Sequence, residues 1–192
     1  MKKNITSLIF LFLISVVTGC HKESQLPSPP PPPPVLFVIG QNYQGGYIFY
    51  LDSTGNHGFI AASNNQSNGI GWWSDTTRTF ADGKAIGTGL VNTKKIVALF
   101  GNGDYAAKIC DDLILNGYDD WYLPSSDELI ELWKQKDKVG SFPDGWYWSS
   151  TDLGGYPHAF YAFNIRFPDG LIKMNVDMNK PSLNMVRAIR TF

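Results

Sequence analysis

The chain has 192 residues, 16 Lys and Arg against 17 Asp and Glu for a formal charge of −1, and 43% apolar side chains. That length leaves room for one ordinary domain once the front end is set aside, and the composition is that of a globular protein rather than a fibrous or disordered one. A charge so near zero argues against nucleic acid, or any long anionic polymer, held by bulk electrostatics.

The front end has the layout of an export signal. Lys2 and Lys3 precede an apolar run from Leu8 to Val17, and Val17-Thr18-Gly19-Cys20 closes it with small residues and a cysteine. The run is too short to span a bilayer comfortably. It resembles a bacterial lipoprotein signal peptide with its lipobox, which implies cleavage after residue 19 and a diacylglycerol on Cys20. Residues 1–19 carry two lysines and no acid, so their removal takes the formal charge from −1 to −3. Cys110 is then the one cysteine left, and it needs neither a disulfide partner nor an activating cation if it is a small buried hydrophobe. Residues 20–34 end in the unbroken run Pro29 to Pro34. Such a tract adopts polyproline II at about 3.1 Å per residue, so Pro27 to Pro34 forms a semi-rigid stalk of roughly 25 Å that stands the domain off a membrane.

The folded domain is expected over 35–192. Tyr47 to Leu51 and Phe59 to Ala62 are apolar runs separated by the turn formers Asp52 to Gly58, which predicts a hairpin. From Ser63 to Gly89 the chain is rich in Asn, Gly, Ser and Thr around Trp72 and Trp73, a long irregular region. Asn92 or Thr93 is expected to cap a short helix through Ile96, Val97, Leu99 and Phe100. Gly101-Asn102-Gly103-Asp104 imitates part of a dinucleotide fingerprint, but no strand and helix alternation follows, so a glycine turn between two helices is the better reading. In the next helix Ala106, Ala107, Cys110, Leu113 and Ile114 share a side.

Pro124 stops what precedes it, and Ser125 with Glu128 forms a capping box opening a helix whose Leu129, Leu132 and Trp133 face the core. Beyond it the period changes to two. Ala159, Tyr161, Phe163, Ile165 and Phe167 form one face, and His158, Phe160, Ala162, Asn164 and Arg166 the other. Pro168-Asp169-Gly170 turns the chain into a second strand through Ile172, Met174 and Val176, and Val186 to Phe192 forms a last strand. One of its arginines, Arg187 or Arg190, approaches the core and needs a partner there.

Gly45 to Asp52, the Ala106 to Cys110 helix, GYDDWYLPSSDEL, Tyr147 to Thr151 and Val186 to Arg190 resemble, in order, the Lcl C-terminal domain family, a bacterial domain named after the collagen-like adhesin of Legionella. The resemblance covers about Gly45 to Phe192. It implies an α+β, C-type-lectin-like fold with antiparallel sheets, two or three short helices and a long irregular loop region, related in architecture to formylglycine-generating enzymes. It also implies a surface or exported protein, and in the founding adhesin the domain is implicated in binding sulfated glycans. The paired cysteines of formylglycine-generating enzymes have no counterpart here, and neither do the Glu-Pro-Asn and Trp-Asn-Asp triplets of calcium-dependent lectins. On the family motifs, Asp120 and Arg187 are expected to form a fold-closing ion pair.

His21, His57 and His158 lack a second ligand at zinc spacing, and the acidic doublets Asp111-Asp112 and Asp119-Asp120 lack that of a calcium loop, so no metal and no cofactor is expected. No Gly-x-Ser-x-Gly elbow is present. Aromatic residues are what the chain has in excess. Trp72 and Trp73, with Asp75, Asp152, His158, Asn164 and Arg166 beside them, are the expected ligand-binding set, while Trp146 and Trp148 bracket a strand start. The expectation is a non-catalytic envelope lipoprotein, tethered through Cys20 to the outer membrane on its periplasmic or outer face, that binds a glycan or a surface protein and no nucleic acid. The alternatives are a structural or assembly module of the envelope, and an enzyme on the formylglycine-generating-enzyme-like fold.

Overall fold

A computed structural model describes residues 36–73, 77–154, 161–173 and 182–192. Cys20 and the stalk, Asp75 and His158 lie outside the described residues. The elements run β1 (Asn42–Tyr43), β2 (Gly46–Leu51), β3 (Gly58–Ala62), β4 (Ser67–Ile70), α1 (Gly89–Phe100), α2 (Ala106–Asp111), α3 (Ser126–Lys134), β5 (Gly145–Asp152), β6 (Ala162–Phe167), β7 (Ile172–Lys173), β8 (Asn184–Val186) and β9 (Ile189–Thr191). This is an α+β architecture with two sheets, one ordered β1-β2-β3-β9 and the other β4-β8-β5-β6-β7. All pairings are antiparallel except β5 with β8, which is parallel.

The β2–β3 hairpin is where the apolar runs place it, and Asp52 builds its turn. The Asp52 carboxylate accepts from the amides of Thr54 and Gly55 at 2.9 and 3.0 Å, while Gly55 takes φ 71°, a conformation that favours glycine. Every residue of β3 is buried because the strand is a wall between two cores. Ile60 and Ala62 face a core shared with α1 and α2, and Phe59 and Ala61 face one shared with α3. The alternation repeats in Trp121-Tyr122-Leu123, whose tryptophan and leucine join the first core and whose tyrosine joins the second. Tyr122 is tied to β9 by reciprocal backbone bonds with Ile189 of 2.8 and 3.0 Å. A period of two with both faces apolar explains why these segments are nearly unbroken hydrophobic runs.

Three expectations change in the helices and the last strand. Helix α1 begins at Gly89, not at Asn92 or Thr93, and both of those residues are buried inside it. Their side chains serve tertiary contacts instead of the helix end: Asn92 exchanges bonds with the backbone of Gly83, and Thr93 Oγ1 bonds both the amide and the carbonyl of Leu123. Helix α2 stops at Asp111, which turns Ile114 outward to 74% exposure. The single strand expected over Val186 to Phe192 is two, β8 and β9, in different sheets, because the chain crosses between sheets at Arg187 and Ala188.

The crossing explains both arginines. Arg190, not Arg187, pairs with Asp120: its Nε and Nη2 donate to the two carboxylate oxygens at 2.6 and 2.8 Å, and its guanidinium lies 4.0 Å from the Tyr118 ring centroid. Arg187 is 1% exposed and its fork is filled by neutral acceptors. Nε donates to Asn65 Oδ1 at 2.8 Å, Nη1 to the carbonyls of Ala62 and Ser63 at 3.0 and 3.3 Å, and Nη2 to that of Ser141 at 2.8 Å, with the Phe142 ring 4.1 Å below. Arg187 therefore ties three backbone segments at the sheet junction. Burial holds its pKa down to about 10.

Helix α3 carries the expected capping box, Ser125 accepting from the Glu128 amide and Glu128 Oε2 from the Ser125 amide at 2.7 Å. Glu128 does more than cap. Its Oε1 also accepts from the Gly87 amide at 2.7 Å, so one buried carboxylate joins the starts of α1 and α3. A Cβ on Gly89 would stand 2.3 Å from Glu128 Oε2, which is why that position admits only glycine.

Candidate functional site

The described members of the expected ligand-binding set, Asp152, Asn164 and Arg166, do not converge on the tandem tryptophans. Trp72 Nε1 donates to the carbonyl of Ser149 at 2.7 Å, and Trp73 stacks on Phe100 with ring centroids 4.0 Å apart and Tyr105 edge-on at 4.7 Å. Both indoles are half-buried against the first core, so they close that core rather than offer a platform. Asp152 is buried as a structural acceptor for the Thr79 amide and hydroxyl at 2.9 and 2.8 Å and for the Gly154 amide at 2.8 Å. Arg166 reaches outward, donating to both Asp144 oxygens at 3.0 and 2.9 Å and to Asp169 at 2.9 Å.

Among the described residues two buried side-chain polar atoms have no hydrogen-bond partner, Trp73 Nε1 and Asn164 Oδ1, and Asn164 is 3% exposed. Leaving such an acceptor unmet costs about 1–3 kcal/mol, so native folds rarely keep one without a reason. Asn164 lines a hollow of about 260 Å³ with Trp146, Lys173, Ser182, Leu183 and Asn184.

The sheet register brings these side chains together. Asn164 pairs with Trp148 of β5 on one side and with Lys173 of β7 on the other, while Trp146 pairs with Arg166. Residues directly opposite share a face, and so do residues two apart along a strand, which puts Trp146, Asn164, Arg166 and Lys173 on one face. Asn184 of β8 lies beside β5 through the parallel Tyr147 and Met185 pairing. The Lys173 ammonium sits 4.3 Å from the Trp146 ring centroid, and among the described residues no carboxylate lies within ion-pair distance of it. The outcome is a hollow with an indole wall and a cation, with the unpaired Asn164 oxygen buried behind it.

Two further hollows are simpler. One of about 340 Å³ lies among Lys136, Ser141, Phe142 and Pro168, and one of about 240 Å³ holds Asn64, Asn65, Asn68 and Arg187, whose guanidinium bonds are already spent on carbonyls and Asn65. Neither is lined by Trp72 or Trp73.

The titratable groups with displaced pKa values are structural. Burial, then the charge of Asp111, pushes the Cys110 thiol well above its ordinary value, so it is a protonated core side chain and not a nucleophile. Burial likewise raises the Tyr122 phenol, with the Glu128 charge adding to it. Among the described residues no group of three or more His, Cys, Asp and Glu is placed to hold a metal ion.

Of the residues that line the hollow, Asn164 was in the expected set, Trp146 stood out only as an aromatic at a strand start, and Lys173, Ser182, Leu183 and Asn184 were missed. Periodicity alone could not find them, because only the β6–β7 register sets Lys173 opposite Asn164. No known protein family matches the chain, and no curated protein matches it in sequence.

Proposed function

We propose that this chain is an envelope lipoprotein, anchored through Cys20 and raised on its proline stalk, whose domain is a non-catalytic recognition module for a glycan or a surface protein. Within this reading the fold is C-type-lectin-like and the domain belongs with the Lcl C-terminal group. The observation that carries it is the Trp146 hollow, which sets an indole beside a lysine that has no carboxylate partner among the described residues. An indole wall with a few fixed polar groups is the usual chemistry of a small-ligand site.

A glycan array probed with the purified chain tests it. Binding to a restricted set of saccharides, abolished in Trp146→Ala and kept in Trp72→Ala, is the expected result; no binding to any glycan or surface protein at millimolar ligand would contradict it. The anchor is tested separately by metabolic labelling with a fatty acid, which marks the wild-type chain and leaves Cys20→Ala unlabelled. Labelling that survives the substitution would place the lipid elsewhere.

A further inference from the structure

The chain contains the pair Asn-Gly three times, at Asn68-Gly69, Asn102-Gly103 and Asn116-Gly117. A glycine after asparagine leaves the following amide nitrogen uncrowded, so that nitrogen can attack the asparagine carboxamide and close a five-membered ring. Ring closure turns the asparagine backbone away from both strand and turn conformations, which makes the rate depend on how firmly the backbone is held. Two of the three pairs are held. Asn68 lies within β4, its Oδ1 accepts from Asn65 Nδ2 at 3.0 Å, and the Gly69 amide donates to Ser67 Oγ at 3.1 Å. Asn116 and Gly117, at φ 53° and 81°, form the centre of a two-residue turn closed by reciprocal backbone bonds of 3.0 and 3.1 Å between Leu115 and Tyr118.

The third pair is not held. Gly101 to Asp104 are all exposed between α1 and α2, and among the described residues no hydrogen bond is made by the Asn102 carboxamide or by the amides of Asn102 and Gly103. The bonds around this loop stop at its ends, where the Gly101 amide donates to the Val97 carbonyl at 2.8 Å and the Tyr105 hydroxyl to the Gly101 carbonyl at 2.7 Å. We propose that Asn102 is a site of spontaneous deamidation, and that the fold sets it apart from the two other Asn-Gly pairs. The Gly103 nitrogen gives up its proton and bonds the Asn102 Cγ, the Cγ–Nδ2 bond breaks, and ammonia leaves. Water then opens the ring at Cγ to give aspartate, or at the backbone carbonyl carbon to give isoaspartate, whose chain runs on through Cγ. Either product adds one negative charge just beyond the C-terminus of α1, the end of a helix where negative charge is disfavoured.

Incubation of the purified full chain, folded and near neutral pH, with peptide mapping by mass spectrometry at intervals, tests the assignment. The Asn102 peptide should convert roughly tenfold faster than those of Asn68 and Asn116, a modest difference in barrier height. The same chain unfolded in guanidinium should convert all three at similar rates, since the dipeptide is then the same and no fold restrains it. Asn102→Gln, whose ring would be six-membered and closes slowly, should remove the conversion at that position and leave the other two pairs unchanged. Conversion at Asn68 or Asn116 as fast as at Asn102 in the folded chain overturns the assignment. So does an Asn102 that stays intact in the folded chain while the unfolded chain converts.

Discussion

The two arginines near the C-terminus show how differently one residue type can be held. Arg190 has a carboxylate partner, Asp120, whose side chain is half exposed, so solvent screens the pair and Asp120→Asn should cost only about 1 kcal/mol. Arg187 has none among the described residues, but it donates to three backbone carbonyls, those of Ala62, Ser63 and Ser141. Arg187→Met would leave those acceptors unmet and should cost about 3 kcal/mol or more despite removing a buried charge. Urea unfolding of the two variants ranks them, and a smaller loss in Arg187→Met than in Asp120→Asn would show that the carbonyl cluster does not hold the sheet junction. The sequence put one of the two arginines at the core and paired Arg187 with Asp120, whereas both are buried and Arg190 makes the pair. That depended on the chain changing sheets between them, which a period-two pattern does not record.

At the level of elements, the start of α3 was the most legible feature, since Pro124, Ser125 and Glu128 encode a stop and a cap within five positions. The start of α1 was not. It is tied to Glu128, far along the chain, and Gly89 is required by the close approach of that carboxylate and of the Leu123 and Ser125 backbone rather than by any local turn. This shared carboxylate has a pH consequence. Burial raises the Glu128 carboxyl above its ordinary value of 4.5, although the amides of Ser125, Gly87 and Gly89 pull it back. The folded state then holds that proton more tightly than the unfolded one, so this group's contribution is fully present below pH 4.5 and is lost as pH rises through the folded value. The melting temperature of wild type minus that of Glu128→Gln should therefore be larger at pH 4 than at pH 7. A gap that widens toward pH 7 would mean the three amides outweigh burial.

Across the whole molecule, strands β3 and β5 and the Trp121 to Leu123 segment divide the interior into two cores, and the aromatic surplus is spent mostly there. That explains why the tandem tryptophans misled: their surroundings are irregular and polar in sequence, but Trp73 stacks on Phe100 from a helix whose position only the tertiary fold sets. Trp146 is the exception, left at the rim of the second sheet where β7 and β8 bring a lysine and an amide to it. Individual helices and strands were readable from periodicity, and the α+β class followed from the resemblance; the site was not readable, because its members come from four separate segments joined by register. The most direct test is to titrate the isotopically labelled chain with a saccharide selected on the array and follow its amide resonances. Shifts concentrated at Trp146, Asn164, Lys173 and Asn184 are predicted, and shifts centred instead on Trp72 and Trp73, or on the Arg187 hollow, would contradict the assignment of this face as the recognition site.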